Sequence, residues 1–209
     1  MAPSKEKLIT STSGSGWVML IVLAIDMTLG LMAYTRESIF VAPLGLGFVL
    51  IMKGFYTLEP QMAAVLTLFG RYVGTDKREG FRWVNPFVSK EKISLRTRNF
   101  NSEMLKVNDK RGNPIEISAV VVWHVHDTYE AAFEVESYEH YVMVQTESAV
   151  RQLAVGYAYD HGDDESSDDI TLRSGTEEIS EALRRAIQGR LSRAGVRIEE
   201  ARINHLAYA

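Results

Sequence analysis

Two apolar stretches close together near the N-terminus constrain this chain more than any other feature. Residues 17–34 are almost wholly apolar, with Asp26 and Thr28 as the polar exceptions. Thr35-Arg36-Glu37-Ser38 interrupts, and residues 39–52 are apolar again, closing on Lys53. A helix needs roughly 20 residues to cross the hydrocarbon core of a bilayer. The first stretch meets that length and carries Trp17 and Tyr34 at its ends, where interfacial aromatics are favoured. The second meets it only by running on through Gly54, Phe55 and Tyr56, with Lys53 snorkelling towards the headgroups. Pro43, Gly45 and Gly47 would weaken a helix in water and are tolerated in lipid.

Two arrangements follow. A tight hairpin turning at 35–38 puts the N-terminus and everything after Tyr56 on one side. A single span with a re-entrant or interfacial second segment is the alternative. Lys5 and Lys7 before the stretches, and Lys53, Arg71, Lys77 and Arg78 after them, outnumber the lone Arg36 between them. The positive-inside rule therefore favours the hairpin with both ends in the cytoplasm. Residues 1–16, ending in Ser-Thr-Ser-Gly-Ser-Gly, read as a flexible polar leader. The expected organisation is a leader at 1–16, an anchor at 17–56 and a domain at 57–209. A cleavable signal is disfavoured by the long leader and the lack of a small-residue cleavage site. The bland alternative is a hairpin buried in the core of a soluble protein. Asp26 is costly in lipid, so it reads either as a helix–helix contact or as a carboxyl that stays protonated.

Composition removes several functions. The formal net charge is −4, and acids and bases alternate, as in Asp76-Lys77-Arg78-Glu79. A nucleic-acid binder needs a basic face to neutralise phosphates, so that class is excluded. The chain has no cysteine, which excludes disulfides, thiolate metal sites and a cysteine nucleophile.

After Tyr56 the texture changes to short strands and turns. Residues 63–69 read as a strand ended by Gly70, followed by a second stretch at 71–73. Residues 75–80 form a charged turn, and 81–84 are extended until Asn85-Pro86 stops them. Residues 91–98 alternate as a half-buried strand, 99–107 read as another, and 108–113 as a turn. The longest strand spans 115–126, with Ile115, Ile117, Ala119, Val121, Trp123 and Val125 on one face. Asp127-Thr-Tyr-Glu130 resembles a capping box ahead of a short helix through Phe133. Ser137 caps a second helix to about Ala154. A third starts at Ser174 or Thr176 and buries Ile179, Leu183, Ala186, Ile187 and Leu191. Gly195 is placed as its left-handed cap, and a last strand runs over 196–206. Strands, then helices, then a returning strand make an α+β domain.

The chemical candidates are weak. His124 and His126 point the same way on one strand, yet no third metal ligand is positioned, so solvent-side residues are the better reading. The acidic run 160–169 lacks the spacing of a calcium loop and reads as a solvated loop, or as a contact for a basic partner. A nucleophile elbow, a P-loop and a dinucleotide fingerprint are absent. Arg184 and Arg185 read as solvated, paired to Glu181 at helical spacing. No catalytic, cofactor-binding or metal residue is expected. The expected membrane contacts are Trp17, Tyr34, Lys53, Phe55, Tyr56, Phe81, Trp83 and Phe87, with core packing as the alternative for the last three.

Several segments together resemble the stomatin/prohibitin/flotillin (SPFH, or band-seven) domain. They are the apolar segment leading into Tyr56-Thr-Leu-Glu-Pro60, then Ala64-Val-Leu-Thr-Leu-Phe-Gly-Arg-Tyr-Val-Gly74 and Gly80-Phe-Arg-Trp-Val-Asn-Pro-Phe87. Val121-Val-Trp123, Asp127, residues 129–135 and 182–195 follow, leading into 196–206. The resemblance covers roughly residues 55–209 and rests on order and spacing. It implies a twisted, antiparallel-rich sheet with helices behind an N-terminal transmembrane helix or hairpin. It also implies a non-enzymatic scaffold in a plasma or inner membrane, with the domain on the cytoplasmic side. Such proteins form large homo- or hetero-oligomers, organise microdomains and hold client membrane proteins or a membrane AAA protease. The alternative is a regulatory subunit for one membrane protease or channel. The coiled-coil helix that usually follows the domain has no counterpart before Ala209.

Overall fold

The computed structural model describes residues 5–9, 14–160 and 170–209. The chain divides into two compact units, Met1–Leu95 and Arg96–Ala209.

The first unit carries the apolar stretches as two helices, α1 (Gly16–Thr35) and α2 (Val41–Gly54). At 1.5 Å per residue they are about 30 Å and 21 Å long. They pack against each other, and the residues of α1 least open to solvent are Gly16, Met19, Leu23, Asp26, Gly30 and Ala33. These recur every three and four residues, the spacing of a seam between two supercoiled helices. Two details differ from expectation. The turn occupies 36–40 rather than 35–38, and α2 ends at Gly54 because Phe55 and Tyr56 already belong to a strand. Pro43 sits in the first turn of α2, where its missing N–H is not needed.

Strand β5 (Gly80–Trp83) lies between β1 (Gly14–Ser15), which leads into α1, and β2 (Phe55–Leu58), which leads out of α2. Trp83 faces both Gly14 and Phe55 across its two neighbours. A second antiparallel sheet has β3 (Met62–Leu68) between β4 (Arg71–Asp76) and β6 (Val88–Ser94). Tyr56, Leu58, Ala64, Leu66, Val84 and Val88 form the core between these elements. Ile9 joins it, which corrects the reading of 1–16 as a flexible leader throughout. Ile9 N donates to Thr75 O at 3.0 Å and Thr75 N donates to Lys7 O at 2.8 Å, so residues 5–9 lie along β4. Gly74 makes room for them, since a Cβ there would meet Ile9 Cγ1 at 2.4 Å.

The second unit is built on β9 (Pro114–Val125), flanked by β10 (Val196–Tyr208) on one side and by β7 (Arg98–Asn101) and β8 (Leu105–Asn108) on the other. The strand expected at 99–107 is thus two strands. Ser102 breaks it, with its Oγ accepting Ala119 N at 2.9 Å and its own N–H donating to Ala119 O at 2.8 Å. The expected strand over 91–98 likewise divides, ending as β6 at Ser94 and resuming as β7 at Arg98. Ile115, Ile117, Ala119, Val121, Trp123 and Val125 are all buried, as their alternation requires.

Asp127 caps α3 (Thr128–Phe133) by accepting Tyr129 N and Glu130 N, and Ser137 caps α4 (Tyr138–Gly156) by accepting His140 N. Helix α5 (Thr176–Arg190) buries Ile179, Leu183 and Ile187 against β10. Its Gln188 amide meets the strand's outer edge, donating to Val196 O at 3.0 Å and accepting from Ile198 N at 2.8 Å. That supplies the pairing a neighbouring strand would otherwise give.

Asp109 holds the β8–β9 turn. Its carboxylate accepts the N–H groups of Arg111, Asn113 and Tyr159 and the side-chain amide of Asn113. Burial alone would raise its pKa, but these donors outweigh it and hold the carboxyl below its ordinary value. A depressed folded pKa stabilises the protein above the unfolded value and is lost below it. Stability of this unit is therefore expected to fall as pH drops below about 4. Urea midpoints between pH 6 and pH 3 measure this, and Asp109→Ala should flatten that part of the profile.

Candidate membrane anchor and its seat

The surface of α1 is apolar nearly all round. Val18, Ile21, Ile25, Leu29 and Leu31 are exposed, as are Ile39, Phe40, Leu46 and Val49 beyond it. A soluble protein does not leave so large a contiguous apolar surface in water. This argues against a hairpin buried in a core. Helix α1 is long and apolar enough to cross a membrane, whereas α2 is apolar but shorter. Asp26 lies on the seam with α2. Its Oδ1 would sit 3.5 Å from a Cβ on Gly47, and its Oδ2 is buried without a hydrogen-bond partner. The helix–helix contact read from Asp26 is where the structure puts this residue.

The base of the hairpin is tied down by side chains. Trp83 Nε1 donates to Ile51 O at 2.9 Å, while Lys90 Nζ donates to Lys53 O at 3.0 Å and reaches Gly54 O at 3.4 Å. These carbonyls end α2 and have no partner within the helix, and a cation there also suits the helix dipole. Burial holds the Lys90 pKa below the ordinary lysine value. Its ammonium also stands 5.5 Å from the centre of the Tyr56 ring. Phe81 stacks on Phe55 at 5.1 Å and meets Trp17 edge-on at 5.6 Å. Such pairs add to the stability that burial provides.

Two glycines permit this seat. A Cβ on Gly16 would meet the Phe81 ring at 2.4 Å, and one on Gly54 would meet Trp83 Nε1 at 2.2 Å and Val84 O at 2.5 Å. Backbone cannot yield as a side chain can. Gly54→Val is therefore expected to lower the stability of the first unit by about 1–3 kcal/mol, the range for overpacking. Denaturant titration in detergent micelles, followed by tryptophan fluorescence, measures the loss.

The expected membrane contacts separate by placement. Trp17 and Tyr34 are 68% and 70% exposed at the two ends of α1, and Lys53 is exposed at the end of α2. Phe55, Phe81 and Trp83 are half-buried in the seat just described. Phe87 is exposed. Tyr56 is the correction: it is only 9% exposed and its hydroxyl donates to the buried Asp76 Oδ2 at 2.8 Å. It serves the core because strand alternation turns it inward, away from its neighbours Phe55 and Thr57.

His124 Nδ1 lies 3.0 Å from Glu199 Oε1, and the His124 and His126 rings are 6.5 Å apart. No cluster of three metal-ligating side chains occurs among the described residues. Glu181 pairs with Arg184 at 2.8 Å and Arg185 at 3.3 Å on the surface of α5. Residues 161–169 of the acidic run lie outside the described residues.

An α+β unit of antiparallel sheets behind an apolar N-terminal hairpin defines a class of membrane-associated domain. Residues 56–209 match the model of the SPFH domain / Band 7 family, and the chain belongs to that family. No curated protein matches the chain.

Proposed function

We propose that this protein is a membrane-anchored scaffold that self-associates and gathers client membrane proteins. The observation that carries the reading is the attachment of both ends of the apolar hairpin to one strand, β5. Helix α1, about 30 Å long, matches the hydrocarbon thickness, and the shorter α2 brings the chain back to the strand beside which it entered. Trp17 and Tyr34 mark its boundaries and Lys53 reaches the headgroups. The lysines and arginines that flank it favour the cytoplasm for both ends. Membership of the SPFH family supports a scaffold rather than an enzyme.

The partners are then the bilayer, other copies of the chain and membrane proteins, with a membrane AAA protease as one client class. Native size of the full-length protein in mild detergent tests the central claim. Large oligomers are expected, and monomers alone would overturn it. Pull-down from membranes should return a broad, lipid-dependent set of proteins; a single stoichiometric partner would instead mark a regulatory subunit of one protease or channel.

A further inference from the structure

Strand β7 is an open edge of the second unit's sheet. It pairs with β9 on one side, and among the described residues no strand pairs with it on the other. Ser102 N donates to Ala119 O at 2.8 Å, and in an antiparallel pair such bonded positions alternate along the strand. Phe100 opposite Val121 and Arg98 opposite Trp123 are therefore the residues that bond inward to β9. The backbone N–H and C=O groups of Asn99 and Asn101 point outward, where they offer a template for another strand.

A groove lies beside this edge, between β7 and the first turns of α4. Phe100, Trp123, Val142 and Met143 line it, together with the ion pair of Arg98 and Glu139. The two charges offset each other, so the groove favours neither sign. Trp123 is only 4% exposed, and its Nε1 is buried with no acceptor. A buried donor left in that state is costly. The indole is held in place, with the Arg98 guanidinium 5.6 Å from its centre and Tyr138 edge-on at 6.2 Å. The groove's volume is about 170 Å³. Small-molecule sites begin at roughly 300 Å³, so this one suits a side chain instead.

We propose that the edge of β7 and this groove bind an extended, uncharged peptide segment of a partner protein, which joins the sheet as a further strand. Its backbone pairs with Asn99 and Asn101, and its alternate side chains enter the groove from the α4 side. There they pack on Phe100, Val142 and Met143 and bring a hydroxyl or amide oxygen to Trp123 Nε1. Met143 is 43% exposed, and its unbranched thioether adapts to side chains of different shape. The proposal deepens the scaffold reading by giving clients a handle, and it rests on that reading for the source of the segment.

Short random peptides displayed on phage are panned against the full-length protein in mild detergent, and those selected are synthesised. Bound peptide is expected to slow hydrogen exchange at the amides of Asn99 and Asn101. Asn99→Pro removes an outward N–H without touching the bonds to β9, so it should weaken binding by roughly five- to ten-fold. Met143→Glu, at an exposed position in the groove, should weaken it as well. N-methylation of alternate peptide amides should abolish binding in one register and spare it in the other. The proposal is overturned if no peptide is selected, or if those selected bind the wild type and both variants equally. Protection of Asn99 and Asn101 without peptide shows that a second copy occupies the edge, and also overturns it. Native size is read on the same sample. Large oligomers without peptide protection remove the groove and leave the scaffold, whereas monomers that take the peptide do the reverse.

Discussion

Asp76→Ala is expected to destabilise the first unit by about 3–5 kcal/mol, the cost of removing one partner from a buried ionic cluster. Asp76 is fully buried at the end of β4. One oxygen accepts the Tyr56 hydroxyl at 2.8 Å and lies 3.5 Å from Arg82 Nε. The other accepts Arg78 Nε at 3.0 Å and Arg78 N at 3.1 Å. Alanine would take the carboxylate away from an arginine that is mostly buried and remove the acceptor of the Tyr56 hydroxyl. Tyr56 belongs to β2 and Arg82 to β5, so the carboxylate also joins the two sheets on which the hairpin is seated. Tyr56→Phe should cost much less, about 1 kcal/mol, because it removes a single hydrogen bond. Chemical denaturation of the two variants in the same detergent gives the comparison. Equal losses would show that the ionic cluster adds nothing beyond the tyrosine contact.

Gly195→Ala is the second large effect, expected at about 2–5 kcal/mol in the other unit. Gly195 has φ of +62°, where an L side chain costs about 1–2 kcal/mol. A Cβ there would also come within 2.2 Å of Asp127 O and 3.0 Å of Ala131 N, both backbone atoms. Overpacking of this kind adds about 1–3 kcal/mol. The same glycine's carbonyl accepts His126 N at 2.8 Å and Asp127 N at 3.0 Å, so any shift disturbs the junction between β9 and α3. Hydrogen exchange at His126 and Asp127, together with the thermal midpoint, reports both parts of the effect. An unchanged midpoint would show that the backbone relaxes freely there.

Features governed by local chemistry were legible in the sequence. Asp127 and Ser137 as N-caps and the alternating face of β9 follow from residues within a few positions of one another, and Gly195 is left-handed as expected, but it ends the turn before β10 rather than α5, whose C-cap is Leu191. The stripe of α5 follows in the same way, from Ile179, Leu183 and Ile187. Features set by distant pairing were not. Thr75 and Asp76 look like the start of a charged turn, yet both are buried in β4 because their partners are Lys7, Ile9, Tyr56 and Arg82. Residues 5–9 are too short and polar to announce any pairing, and their isolated bridge to β4, Leu8 opposite Thr75, comes from a partner more than sixty residues away. Tyr56 continues an apolar run and so reads as interfacial, until Asp76 claims its hydroxyl. Phe69 looks like the end of a strand, since its left-handed backbone follows from the pairing of Leu68 with Arg71 around it.

Strand β5, only four residues long, works as a clasp. The chain enters the apolar hairpin from one side of it and leaves on the other, with Trp83 paired to both. A domain on a single flexible stalk would swivel about it, but two arms stitched to one strand leave no free pivot. Copies of the first unit held this way in one bilayer would share a common face towards the lipid before they meet. Much of the rotational freedom that association normally removes is then already gone. Opening the clasp would release both arms at once and restore that freedom.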